Sequence, residues 1–131
     1  MNLLFQAHSG LRFVILLDGV IALVMFAMGQ LQGQPFGKVH RIVGASYAGL
    51  LHLQALLGLS MVVMGRFYPA LIGHLVMMLA AAVTMQVCLS VNRKRPQPGF
   101  KLPLIGAVVS LLLIVGGIMS IGRGLFTMTA V

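Results

Sequence analysis

Four long, predominantly apolar stretches constrain this chain more than any other feature. A helix needs about 20 apolar residues to cross the hydrocarbon core of a bilayer. The stretches at 3–28, 42–64, 70–91 and 102–121 each meet that length. The connections between them are short and hold helix breakers: Gly33, Pro35 and Gly37 in the first, Gly65 and Pro69 in the second, and Pro96, Pro98 and Gly99 in the third. Short links favour antiparallel neighbours, so the expected fold is all-α. We expect one transmembrane domain spanning 1–131, built as an integral membrane four-helix up-down-up-down bundle.

Composition supports this reading. Hydrophobic residues make up 60% of the 131 and charged residues only 8%, far from the balance of a water-soluble domain. Nine Lys or Arg face a single acid, Asp18. The cations fall mainly between apolar runs and not in a stripe interleaved with aromatic residues. The basic balance therefore reflects a shortage of acids in a membrane chain, and no nucleic-acid partner is expected. One cysteine, Cys88, excludes an internal disulfide, and no Cys/His spacing suggests zinc, an iron–sulfur cluster or covalently attached haem. The first stretch lacks a basic n-region and carries Arg12 and Asp18 within its apolar run. It is therefore read as a retained helix and not as a cleaved signal peptide.

Orientation follows from the cations. Lys38, Arg41, Arg93, Lys94, Arg95 and Lys101 fall on one side, whereas Arg66 and Arg123 fall on the other, with Arg12 near that end of the first helix. The positive-inside rule then places both termini on the outer, periplasmic side of a bacterial cytoplasmic (inner) membrane.

Ionisable groups at membrane depth are costly and normally find partners, which makes them the candidate site residues. Asp18 precedes Gly29 by eleven residues and His52 follows Arg41 by eleven. Both should lie about 16 Å from that surface. They are expected to form a buried polar pair, either a structural hydrogen bond or a proton-accepting site serving a bound quinone. Ala45, Ala48 and Gly49, near the His52 side of the second helix, would permit close approach. His8 and His74 are matched in depth on the first and third helices, which are diagonal in such a bundle. Two imidazoles at one level could be the axial ligands of one haem b, its only metal, with Met77, Met78, Ala81 and Met85 as an adaptable apolar wall. The alternative is a pair of hydrogen-bonded structural histidines. Arg12, one turn from His8, could hold a haem propionate, a quinone carbonyl or a lipid phosphate, or could snorkel to the headgroups. His40 is read as interfacial. The fourth helix presents Gly106, Ser110, Gly116, Gly117 and Ser120 for close packing within the bundle or against a neighbouring subunit.

At His8-Ser9-Gly10-Leu11-Arg12, Leu53-Gln54-Ala55-Leu56-Leu57-Gly58 and Gly73-His74-Leu75-Val76-Met77-Met78, the chain resembles a sparsely characterised family of small bacterial four-helix membrane proteins, some labelled b-type-cytochrome-like. The resemblance covers most of the chain. It implies an integral membrane protein of respiratory or photosynthetic bacteria, with His8 and His74 in the family's two histidine positions. The place of His52 is more often acidic in that family, which counts against His52 as a haem ligand and favours a bond to Asp18.

Three functions are expected, and no complete catalytic constellation makes the chain an enzyme in its own right. The first is a component of a membrane electron-transfer assembly that binds one haem b through His8 and His74 and exchanges electrons with quinone. The second is a cofactor-free accessory subunit of a larger redox complex, with the lipid bilayer and other membrane subunits as partners. The third is a small proton channel or transporter using Asp18.

Overall fold

A computed structural model describes residues 2–65 and 71–120. Among these residues the chain forms four helices: α1 (Asn2–Leu31), α2 (Lys38–Val63), α3 (Leu71–Lys94) and α4 (Lys101–Ser120). All four are long and apolar enough to span a membrane. They extend a few residues past most of the apolar stretches, because a helix can continue into the polar layer where apolarity stops. Gly33, with φ of +65°, ends α1 in a left-handed conformation that favours glycine. At the start of α2 the His40 Nδ1 accepts the Gly37 backbone N–H at 3.0 Å, satisfying a donor at the helix entry. Pro103 falls in the first turn of α4, where no intrahelical N–H is required.

The helices form a closed ring in which α1 packs on α2 and α4, and α3 packs on α2 and α4. The pairs α1/α3 and α2/α4 are therefore diagonal. Residue pairings across the α1–α2 seam run in opposite senses. Along α1 and α2, His8 meets Gln54, Asp18 meets Ser46, and Phe26 lies near Gly44.

Large apolar side chains lie on both the inside and the outside of the bundle. The buried positions mix Ala22, Ala48, Ala81, Ala82 and Ala107 with Phe26, Tyr47, Met85 and Ile114 and the polar Ser9, Arg12, His74, Asn92 and Ser110, whereas Leu17, Leu56, Val76, Val83 and Leu112 point away from the bundle. In water this arrangement would leave every helix with an uncovered apolar stripe. In lipid it is favourable, because tails solvate the large side chains while small ones let the backbones approach. The chain is a multi-pass membrane protein in contact with the bilayer.

Glycines set the closest approaches. A Cβ on Gly106 would stand 2.9 Å from the Cβ of Cys88 and 3.1 Å from the sulfur of Met85, and one on Gly116 would stand 2.8 Å from the Met77 methyl. The small-residue face of α4 is thus used inside the bundle, against α3. At the opposite seam the Phe100 ring rests on Gly29, where any Cβ would overlap it. Phe100 also belongs to an aromatic cluster with Phe26, Phe36 and His40, with ring centroids 4.7 to 6.4 Å apart. This cluster brings the connection after α1 and the connection before α4 to the same end. Lys38, Arg41, Arg93, Lys94, Arg95 and Lys101 are all exposed there. Arg66 and Arg123, the counterweights in the charge argument, lie outside the described residues.

Candidate functional site

The first candidate site lies toward the start of α1. His74 is buried in the first turns of α3, and its ring bonds the Gly117 carbonyl at 2.9 Å. A carbonyl can only accept, so Nδ1 donates this bond, and in the neutral imidazole the lone pair is then on Nε2. His8 is half-buried opposite α2. Its Nε2 stands 3.2 Å from the place of a Cβ on Gly58, so the glycine makes room for the ring. His8, Arg12 and His74 are close enough to interact electrostatically. The structure places these three residues in one neighbourhood. Arg12 is buried, with its guanidinium carbon 4.8 Å from the centroid of the Phe13 ring, and does not reach outward as snorkelling would require.

Gln54, read from the sequence as an ordinary interhelical hydrogen-bonding group, also belongs to this site. Its Nε2 donates to the His8 carbonyl at 2.7 Å, while its Oε1 is buried without a hydrogen-bond partner. Beside it is a cavity of about 30 Å³ bordered by Gln54, Gly58, His74 and Met78. That is enough for a water molecule, which could donate to Gln54 Oε1.

The donor set suits haem chemistry, since a metal-ligating histidine commonly donates its other ring proton to a backbone carbonyl. The space does not. A bound cofactor ordinarily fills several hundred Å³, and the methionines expected to wall the ring pack instead on α4, with Met77 on Gly116, Met78 on Gly117 and Met85 on Gly106. Among the described residues, the packing of these methionines on α4 leaves no room for a porphyrin beside His74.

The second set of polar groups differs from the expected pairing. Asp18 does not meet His52. Asp18 Oδ2 accepts a hydrogen bond from the Ser46 hydroxyl at 2.9 Å, and the His52 Nε2 bonds Gln86 Oε1 at 2.9 Å. Both depth and rotation were off: Ser46, level with Asp18, and His52 are six residues apart on α2, which puts them about 9 Å apart along the axis and about 120° apart around it. Asp18 is half-buried and Ser46 exposed, so this pair lies on the outer flank of the α1–α2 seam. His52 and Gln86 are exposed on the neighbouring α2–α3 flank. Ala45 and Gly49 do not bring helices together; both are exposed and border a cleft. The close approach on α2 is made by Gly44, where a Cβ would stand 3.0 Å from Leu89.

At the cationic end one residue does more than its sequence reading and another went unread. His40 is more than interfacial: it caps α2 and stands edge-on to Phe100. Asn92 is 1% exposed and accepts the Gly99 backbone N–H at 3.0 Å, tying down the connection to α4. A polar Asn closing an apolar helix just ahead of Pro96, Pro98 and Gly99 was the available signal. Among the described residues no group of three or more His, Cys, Asp or Glu side chains could hold a metal ion.

No protein-family model matches the chain, and no curated protein or solved structure matches it.

Proposed function

We propose that the chain is a small integral membrane subunit that packs against other transmembrane helices in a larger assembly. We place it in a redox complex of a bacterial inner membrane, as an up-down-up-down bundle with both termini on the outer face. The observation carrying this reading is the Asp18–Ser46 pair on the flank of the bundle. Ionisable groups at this depth ordinarily face the interior or pair with one another. Asp18 is the only acid in the chain, yet it lies at the periphery. The single Ser46 proton is shared between Asp18 Oδ2 and the Val43 carbonyl, each at 2.9 Å. The other carboxyl oxygen has no partner among the described residues. A donor from a neighbouring helix would complete the set in a place where lipid tails offer none.

The test is co-purification from native membranes by mild extraction. Wild-type chain should bring down larger membrane subunits, and Asp18→Leu should lose them while keeping its helix content. A wild-type chain isolated only as a monomer, with no associated subunit, would overturn the reading.

A second reading, electron transfer through one haem b, is favoured by the buried His74 lying beside His8 and Arg12. It requires the helices to separate around the ring. Purified reduced protein would then show a Soret band that His74→Ala abolishes. The peripheral position of Asp18 gives the third reading, proton conduction, no acid at the centre of the bundle.

A further inference from the structure

Between α2 and α3, at the cationic end, lies a cleft of about 290 Å³. Arg41 and Arg93 line it, with Ser90, Gln86 and His52 along its length and Gly49 in its wall. Neither arginine has an ion-pair partner among the described residues, and the one acid of the chain is engaged elsewhere by Ser46. Deeper in the cleft, a line of hydrogen bonds is ordered by His52. Its Nε2 proton goes to Gln86 Oε1, so the Gln86 amide nitrogen is turned toward Ser90, to which it donates at 2.9 Å. With its oxygen accepting from Gln86, the Ser90 hydroxyl keeps its own proton for an acceptor in the cleft. The site therefore offers two guanidinium groups near the membrane surface and a hydroxyl donor below them, with apolar helix faces on both sides.

We infer that this cleft binds one anionic phospholipid, with its phosphate between Arg41 and Arg93 and an ester carbonyl accepting from Ser90. A phosphate takes the forked donors of arginine well, and basic pockets between membrane helices are established headgroup sites. The depth of the polar line matches a headgroup with its ester region better than a free anion, which would use only the arginines. Space is available without repacking, since a Cβ on Gly49 would meet nothing within 4 Å.

Native mass spectrometry of the purified chain in micelles doped with phosphatidylglycerol or phosphatidylcholine tests this, with inorganic phosphate as a third arm. The expected result is one phosphatidylglycerol per chain, retained about tenfold better than phosphatidylcholine and not displaced by inorganic phosphate. The double variant R41Q/R93Q should lower retention about tenfold, whereas K94Q/R95Q, which removes two exposed cations outside the cleft, should leave it within about twofold. Gly49→Leu should abolish retention while circular dichroism shows unchanged helix content. Equal losses in the two double variants would reduce the effect to diffuse surface charge and overturn the site. Displacement by inorganic phosphate would overturn the lipid assignment, and equal retention of both lipids would do the same. None of these outcomes bears on co-purification through Asp18.

Discussion

Tyr47 of α2 and Ser110 of α4 meet across the diagonal of the bundle, their oxygens 2.8 Å apart and both fully buried. The Ser110 hydroxyl donates to the Ala107 carbonyl at 3.1 Å, so the shared bond is donated by Tyr47 and accepted by Ser110. The two partners are therefore not equivalent. Ser110→Ala leaves a buried phenol proton without an acceptor and should cost about 1–3 kcal/mol, whereas Tyr47→Phe leaves Ser110 bonded to Ala107 and should cost about 0.5–1.5 kcal/mol. Unfolding in mixed micelles titrated with denaturing detergent checks the order. A larger loss in the tyrosine variant would reverse the donor assignment.

Gly106 and Gly49 should respond oppositely to the same methyl group. At Gly106 the methyl would meet the Cβ of Cys88, which moves only with its backbone, so Gly106→Ala should destabilise by about 1–3 kcal/mol. Gly49 borders open space, and Gly49→Ala should stay within about 0.5 kcal/mol of wild type. The same detergent titration applied to both measures the difference.

His74 should be a single neutral tautomer. Nitrogen-15 shifts of labelled protein should show a protonated Nδ1 and an unprotonated Nε2, and replacing His74 by Leu should remove the bond to the Gly117 carbonyl at a cost of about 0.5–1.5 kcal/mol. A spectrum with the proton on Nε2 would contradict the bond to Gly117.

Exposure of the cationic end can be mapped by labelling. In a Cys88→Ala background, a cysteine introduced at Lys94 should react with a membrane-impermeant reagent only when the cytoplasmic face is open. A cysteine at Asn2 should react from the opposite face. Labelling of both positions from one side would break the up-down arrangement.

The crossing helices were readable because lipid imposes one requirement on every residue of a span, and apolar length records it directly. Depth was readable only coarsely: a constant rise turns residue counts into levels, but counting from Gly29 and Arg41 put His52 level with Asp18 when it lies about 9 Å further along, near the level of His8. Rotation was not readable. A difference of about 100° per residue decides which flank a side chain occupies, and α2 is apolar on most sides, so nothing in its pattern fixed its facing. Asp18 was consequently matched to His52 when Ser46 was the group turned toward it. The line from His52 through Gln86 to Ser90 was missed for a related reason, because it depends on the facing of both α2 and α3. The fourth helix was read better: its small residues could serve only close packing, and the partner proved to be α3.

The seat of Phe100 on Gly29 places the lock of the ring between α1 and the entry to α4. A nascent chain that has released only α1, α2 and α3 has nothing to cover that glycine or to accept the Tyr47 proton. Closure of the four-helix ring therefore has to await α4, and a product truncated before it should present quality-control proteases with an open, unlatched intermediate.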